Sequence, residues 1–185
     1  MEKRSHSKWR YLAVILGIIV VESLSAGSAL ASLVSMNDLF SPTLILGDKL
    51  NIDPAYKDRN ETYSPCIKIE YPKATPPAEK IEGYATVIWR YPIDNLGKLN
   101  GRNLNGAIRL NIWARSDNTM KNVTFSVGAF REDSDIIPIT ATLNENWRRF
   151  EIPLFGRNLS NIKAGFACKL TENGVIYLNG VSYEI

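Results

Sequence analysis

The sequence predicts an all-β protein, an antiparallel β-sandwich over residues 48–185 preceded by an N-terminal hydrophobic leader helix. In residues 107–115 and 122–130 every second side chain is apolar, from Ile108 to Ala114 and from Val123 to Ala129, as in a strand with one buried face. Proline, glycine and asparagine cluster between such windows, most densely in residues 92–106, and indicate turns or loops. Beyond the leader, no window repeats its apolar residues with the 3.6-residue period of a helix. Short alternating strands joined by turns are typical of antiparallel sheets.

The predicted elements follow one another without internal repeats. Residues 32–47 are a lead-in segment without a clear period, and residues 48–64 are polar and rich in turn formers. Each later strand is identified by alternation or by β-branched and aromatic residues, with turn formers between them. Strands are predicted at residues 66–71, 84–91, 107–115, 122–130, 136–140, 147–154, 162–170 and 175–184.

The composition is that of an ordinary globular protein. The chain has 185 residues, 45% of them hydrophobic and 22% charged, and a formal net charge of +3. This balance excludes a disordered or coiled-coil chain, and the length suits one domain with a short appendage. The basic residues are dispersed, so they do not form the clustered basic patch that nucleic-acid binding needs.

Residues 1–31 have the pattern of a secretory signal peptide. Basic residues precede an unbroken apolar or glycine stretch at residues 12–21, and small residues follow up to Ala31. The alternative is a retained membrane anchor over residues 12–34, although Glu22 would then lie near the middle of the span, where a charge is unfavourable. Both alternatives export residues 32–185, so we expect a secreted or extracytoplasmic domain, tethered to the membrane only if the leader is uncleaved.

The histidine and cysteine content excludes several kinds of site. The one histidine, His6, lies in the leader, so the rest of the chain cannot use Ser-His-Asp or Cys-His catalysis or a histidine-containing zinc site. The two cysteines, Cys66 and Cys168, have two open interpretations. They form a disulfide, which an exported domain permits, or they are two separately buried thiols.

Six motifs occur in order along the predicted strands. They read CIKIEY, IWRYP, LNIWAR, VTFSVG, TLNENWRRFEIPL and YLNGVSYE. In order and spacing they resemble exported carbohydrate-binding-module-like domains of the galactose-binding-domain-like superfamily. The resemblance covers residues 48–185 and implies a jelly-roll β-sandwich. It also implies carbohydrate binding, although this superfamily hosts many binding roles and some purely structural ones.

One predicted strand face supplies a candidate carbohydrate site. Trp113 shares this face with Asn111 and Arg115, and we expect its ring to stack on the apolar face of a sugar. Asn111, Arg115 and Arg90 would bond to the hydroxyl groups, and Tyr91, next to Arg90, is assigned to the same site. The alternative is that Trp113 only packs against the protein, since tryptophan is largely buried on average.

The resemblance also implies a possible structural Ca²⁺. Its carboxylate ligands would be Asp48, Asp53 and Glu184, from the first and last strands. Domains of this kind tend to carry two acids where this sequence has Asn179 and Gly180, which weakens the case. The alternative is that these acids are solvated or cap turns.

The sequence favours a non-catalytic binding module over an enzyme. It has no G-x-S-x-G elbow and no C-x-x-C motif, and its acids form no recognisable catalytic pair. The acids of residues 131–135 belong to a loop, either an exposed connection or the rim of a site.

The expected partner is therefore a glycan or polysaccharide at the cell surface or outside the cell. The first alternative is a structural or protein-interaction domain of the cell envelope, without a sugar site. The weakest alternative is a small glycan-active enzyme, which needs two carboxylates facing each other across a groove.

Overall fold

The structure is a computed structural model, and it describes residues 31–57, 65–72 and 82–185. The leader helix, and with it the choice between cleavage and anchoring, falls outside these residues. Within the described ranges, no helix is both long enough and apolar enough to cross a membrane.

The described residues form eleven strands and one short helix. In chain order these are β1 Leu33–Ser35, α1 Met36–Leu39, β2 Ser41–Gly47, β3 Asn51–Tyr56, β4 Cys66–Tyr71, β5 Ala85–Arg90, β6 Arg109–Ser116, β7 Met120–Val127, β8 Ile137–Leu143, β9 Arg148–Pro153, β10 Ala164–Leu170 and β11 Gly174–Glu184. From β4 onward, every strand lies within two or three residues of its predicted position.

The strands form two antiparallel sheets. The six-stranded sheet has the order β3-β4-β11-β6-β9, and β1 pairs with β11 in addition. The five-stranded sheet has the order β2-β5-β10-β7-β8. Their apolar faces meet in one core, so the predicted antiparallel β-sandwich is confirmed.

The first three strands depart from the prediction. Residues 33–47 are part of the sandwich as β1, α1 and β2, so they do not precede the domain as a lead-in segment. The strand β3 lies in a region expected to be turns. Both β2 and β3 are edge strands, and β1 has only three residues. Such strands bury too few side chains to show an alternating pattern, which explains why the sequence did not reveal them.

Aromatic side chains bridge the two sheets. In the five-stranded sheet, the Trp89 ring centroid lies 5.2 Å from that of Phe166, and Phe125 lies 5.9 Å from Phe166. Phe125 in turn lies 5.8 Å from Phe150 of the opposite sheet. Alternation in β6 and β7 directs apolar side chains toward these rings and leaves polar ones on the outer surfaces.

The sandwich has two distinct ends. We call one the basal end; it carries the long connections 91–108, 128–136 and 154–163, together with residues 31–33 and 185. The C-terminal Ile185 exchanges two backbone hydrogen bonds of 3.0 Å with Ser32, so the chain enters and leaves the domain there. The opposite end carries the short turns 117–119 and 171–173.

Candidate functional site

Trp113 lies in the middle of the solvent-facing surface of the six-stranded sheet, which we call the outer face. Its neighbours across the sheet are Arg149 on β9 and Asn179 on β11. Asn111 and Arg115, two positions away along β6, point to the same side. Trp113 is partly buried, so it is more exposed than a core residue and less exposed than a fully solvated side chain. Three of the five residues predicted for the site are therefore brought together.

Aromatic rings and cations stack on the half of the outer face toward the opposite end. The Arg115 guanidinium lies 3.8 Å from the ring centroid of Tyr177 and 5.6 Å from that of Trp147. The ring of Tyr56 lies 5.4 Å from that of Tyr177 on the other side, and Lys68 Nζ lies 5.3 Å from the Tyr56 ring. Tyr177 is consequently only 4% exposed. Cation–π contacts of this kind hold the guanidinium in one orientation.

The sequence did not identify Tyr56, Tyr177 or Trp147 as members of this face. Tyr177 is opposite Arg115 because β11 pairs with β6, and Tyr56 is the last residue of β3, a strand that was not predicted. Alternation along β11 alone would place Tyr177 and Asn179 on one face. Their position beside Trp113 follows only from the sheet order.

A polar network covers the basal half of the outer face. Arg149 donates a 2.7 Å hydrogen bond to Asn111 Oδ1 and lies 2.8 Å from Glu151. Arg109 joins Glu151 to Glu184 through ion pairs of 3.1 and 3.0 Å. Exposed ion pairs add little stability, but a connected set holds each donor and acceptor in place. Trp113 therefore stands beside preorganised hydrogen-bonding groups.

A cleft of about 390 Å³ adjoins this face at the edge of β11. It lies where β1 ends at Ser35 and β4 begins at Cys66, so the middle of β11 lacks a strand partner there. A bulge at Gly180, which has φ +55°, shapes the cleft, and Asn179 Nδ2 donates to Pro65 O across it at 3.0 Å. A Cβ added to Gly180 would lie 3.5 Å from Trp113 Cδ1, so the indole borders the bulge.

Arg90 and Tyr91 lie away from Trp113, which corrects the predicted site. Arg90 ends β5 in the five-stranded sheet, is buried, and donates a 2.9 Å hydrogen bond to the carbonyl of Asn95. The Arg102 guanidinium stacks 3.9 Å from the ring centroid of Tyr91. Both residues organise the basal end. The alternation along β5 predicts on which side of the strand each side chain lies, but it does not predict to which of the two sheets β5 belongs.

The three acids predicted to bind Ca²⁺ do not form one site. Asp48 lies near Tyr71, which pairs with the beginning of β11, whereas Glu184 ends β11 and pairs with Arg109. At about 3.3 Å per residue, the two ends of this strand are roughly 30 Å apart. Asp53 accepts a 3.0 Å hydrogen bond from the N–H of Ala55, as in a turn cap. In the described residues, no three histidine, cysteine or acidic side chains are grouped for a metal.

Asp48 instead fastens a chain segment to the sandwich. Its carboxylate accepts hydrogen bonds of 2.5 Å from the Tyr71 hydroxyl, 2.8 Å from the N–H of Glu82 and 3.1 Å from that of Gly83. The Tyr71 hydroxyl, followed by the N–H of Glu82, holds the pKa of Asp48 below its usual range. Burial, and then the carboxylate, raise the pKa of Tyr71 to about 12.

This pair predicts a pH dependence of stability that Tyr71→Phe removes in part. Folded Tyr71 keeps its proton up to about pH 12, whereas unfolded tyrosine loses it near pH 10, so stability falls as the pH rises through this window. Folded Asp48 stays ionised below the pKa of the unfolded residue, so its contribution is lost only as the pH falls below about 4. The melting temperatures of the wild-type and Tyr71→Phe chains are measured as a function of pH. Their dependence on pH should differ between the two chains at about pH 10–12 and below about pH 4, and the same dependence in both chains would contradict the pairing.

Cys66 and Cys168 are two separately buried thiols and do not form a disulfide. Cys66 begins β4 of the six-stranded sheet, whereas Cys168 lies in the core on β10 of the other sheet. Burial raises the pKa of the Cys168 thiol, which disfavours the reactive thiolate. Of the two open interpretations, the structure therefore supports two buried thiols.

The comparisons with known proteins establish the fold. No protein-family model matches the sequence, and a search of curated proteins finds no match. Among solved structures, the chain is similar to the family 11 carbohydrate-binding module of the cellulosomal cellulase Lic26A-Cel5E of Clostridium thermocellum, with a TM-score of 0.53 and 10% identity over 83% of this chain and 94% of that one.

Two further structures agree with this result. A family 30 carbohydrate-binding module has a TM-score of 0.50 and 10% identity, over 84% of this chain and 82% of that one. The agarase AgWH50C has a TM-score of 0.51 and 10% identity over 84% of this chain, which corresponds to 26% of the enzyme. From its two antiparallel sheets and these similarities, the chain has the β-sandwich fold of carbohydrate-binding modules.

Proposed function

We propose that this protein is an exported, non-catalytic module that binds carbohydrate on the outer face of its six-stranded sheet. The observation that carries the proposal is the position of Trp113. Its partly exposed ring lies in the middle of the face, directly between Arg149 and Asn179. This arrangement combines an aromatic platform with fixed polar groups, which is what a sugar ring requires.

Trp113 and the polar groups on its two sides would contact different parts of the sugar. The indole offers an apolar surface for the C–H groups of a pyranose ring. Asn111 is buried and accepts a hydrogen bond from Arg149, so it orients this guanidinium, which offers donors for hydroxyl groups on the basal side. Arg115, held over Tyr177, offers further donors on the other side. Because these side chains already contact other groups of the face in the absence of a ligand, fixing them on binding costs less conformational entropy than it would for free side chains.

The fold supports carbohydrate as the ligand class. The solved structures described above as family 11 and family 30 modules are carbohydrate-binding by their own description. A shared fold at 10% identity leaves the ligand to be decided by the site itself. The proposal therefore rests on the outer face, with the fold as support.

The carboxylates of the outer face favour binding over catalysis. Glu151 and Glu184 are both in ion pairs with Arg109, and Asp117 lies 3.1 Å from the Arg115 guanidinium. A glycosidase needs two carboxyl groups that face each other across the scissile bond, whereas each of these carboxylates is held by an arginine. Carboxylates that are paired in this way instead fix the orientation of the arginines.

The test is to measure binding of the purified chain on a glycan array and then the affinity for the best glycan by calorimetry. Trp113→Ala is expected to weaken binding by tenfold or more, because loss of a central aromatic contact costs about 2 kcal/mol. Trp113→Tyr should keep most of the affinity, since it retains a ring. Phe155→Ala is the matched control, because this exposed aromatic residue lies in a basal connection away from the outer face.

Four results would contradict the proposal. Equal loss of affinity in the Trp113→Ala and Phe155→Ala chains would place the site elsewhere. Binding that disappears only with a chelator would indicate a cation-organised site. A folded chain that binds no glycan would favour the alternative of a structural or protein-interaction domain of the cell envelope. Release of reducing ends from a bound glycan would show an enzyme.

A further inference from the structure

Exposed apolar side chains are concentrated at the basal end of the sandwich. Phe155 is 85% exposed, Leu33 68% and Leu96 64%. In the described residues, all but two of the large exposed hydrophobic side chains lie at this end, and the exceptions are Ile45 and Leu46 near the opposite end. The basal set is Leu33, Tyr91, Ile93, Leu96, Leu99, Ile108, Ile136, Phe155 and Ile185. Single exposed hydrophobic residues are ordinary, but their concentration at one end of the domain indicates an interaction surface.

The loop that carries several of these side chains is rigidly built. The side chain of Asn95 is fully buried and makes four hydrogen bonds within residues 91–99. Its Nδ2 donates to the carbonyls of Tyr91 and Leu99, and its Oδ1 accepts from the N–H groups of Gly97 and Leu99, at 2.9 to 3.1 Å. Leu96 and Leu99 are thus held outward by an ordered turn.

The chain enters the domain at this same end. Ser32 is bonded to Ile185 there, and residues 1–30 join the domain directly before it. Those residues contain the unbroken apolar stretch 12–21, flanked on its N-terminal side by basic residues. A segment of this kind enters a lipid bilayer, either permanently as an anchor or during export. Where the leader is retained as an anchor, its attachment at this end keeps the basal end near the lipid surface.

The basal end carries only a small excess of positive charge. Its connections and the adjoining strand ends hold seven basic residues and five acids: Arg90, Lys98, Arg102, Arg109, Arg131, Arg157 and Lys163 against Asp94, Glu132, Asp133, Asp135 and Glu184. Attraction to anionic lipid headgroups, which uses clusters of unpaired basic residues, is therefore not the main driving force. Burial of apolar side chains is the interaction that this surface supports.

We propose that the basal end is a membrane-contacting surface, which places Phe155, Leu96 and Leu33 in the interfacial layer of the bilayer. Aromatic and aliphatic side chains on a polar scaffold bind in this layer, at the boundary of headgroups and acyl chains. The outer face then stands to the side of the contact, with Trp113 four residues along β6 from Arg109, or roughly 13 Å from the basal end. The proposal does not depend on carbohydrate binding.

The experiment uses the full chain reconstituted into phosphatidylcholine vesicles that carry nitroxide-labelled lipids. A polarity-sensitive fluorophore is attached at Leu96→Cys in one chain and at Leu46→Cys in another. Both positions are exposed leucines, one at each end of the sandwich, and the native Cys66 and Cys168 are buried and should label weakly. Quenching at position 96 is expected to be at least about twofold greater than at position 46.

A second variant separates surface contact from simple tethering by the leader. Phe155→Ser, in the Leu96→Cys chain, should lower quenching at position 96 toward the level seen at position 46. The melting temperature of this variant is measured in parallel and should be unchanged, because a side chain as exposed as Phe155 contributes little to stability. Unchanged quenching in this variant would overturn the proposal, because the tether alone would then explain it. Equal quenching at the two reporter positions would also overturn the proposal. So would self-association of the chain in detergent that shields the label at position 96, because the basal end would then contact a second copy of the chain.

Discussion

Replacement of Asp133 by alanine is expected to lower the free energy of unfolding by about 3–5 kcal/mol. Asp133 is only 9% exposed, although it lies in a connection between strands. Its Oδ2 accepts hydrogen bonds of 2.8 and 2.9 Å from the N–H groups of Ala129 and Phe130, and its Oδ1 accepts one of 2.5 Å from that of Lys163. Alanine would leave these donors without an acceptor, and the N–H of Lys163 is in a buried residue.

Two other substitutions in the same loop serve as references. Asp133→Asn keeps one acceptor oxygen and should cost less than Asp133→Ala. Asp135→Ala should cost less than about 1 kcal/mol, because Asp135 is more exposed and lies 3.8 Å from its partner, Arg157. The measurement is urea unfolding, with equal m-values as the sign of a comparable transition. Equal losses for Asp133→Ala and Asp135→Ala would show that the buried hydrogen bonds do not determine the loop.

Gly128→Ala is expected to destabilise the fold by about 3 kcal/mol or more, the range of severe backbone and packing conflicts. Gly128 directly follows β7 and has φ +75°, and an added Cβ would lie 2.2 Å from the carbonyl oxygen of Asp135. That atom belongs to the backbone, so it cannot rotate away as a flexible side chain would. The substitution therefore forces the two strands of the loop apart.

The matched control is Gly156→Ala. Gly156 also has φ +75°, but no atom lies within 4 Å of the added Cβ. It should cost only the conformational penalty of a left-handed alanine, about 1–2 kcal/mol. The difference between the two variants isolates the close contact at Gly128. Equal losses of stability would show that φ alone accounts for the effect.

The acidic loop at residues 131–135 illustrates how far sequence reasoning reaches. Its position between two strands was predicted from composition, and either an exposed connection or the rim of a site was expected. In the structure one of these acids holds the loop in place. Asp133 accepts hydrogen bonds from the N–H of Ala129 in its own loop and from the N–H of Lys163 in the connection between β9 and β10. A composition rich in acids does not reveal which carboxylate is buried, since burial depends on segments that are distant in the sequence.

The candidate site divides in the same way. Trp113, Asn111 and Arg115 were predicted to share a face because neighbouring side chains in a strand alternate, whatever the strand pairs with. Arg149, Tyr177 and Asn179 were not connected with them. Cross-strand neighbours follow from sheet order and register, which are decided by the packing of the whole core.

The sequence by itself determined that this chain forms an antiparallel β-sandwich, because the period-two pattern is a local property of each strand. It also determined that Trp113 lies on a polar face with Asn111 and Arg115. Only the tertiary structure decided that Arg90 belongs to the other sheet and that Tyr177 lies beneath Arg115. The same is true of the basal end, because exposed apolar side chains from separate loops come to the same end of the sandwich only once the strands are ordered.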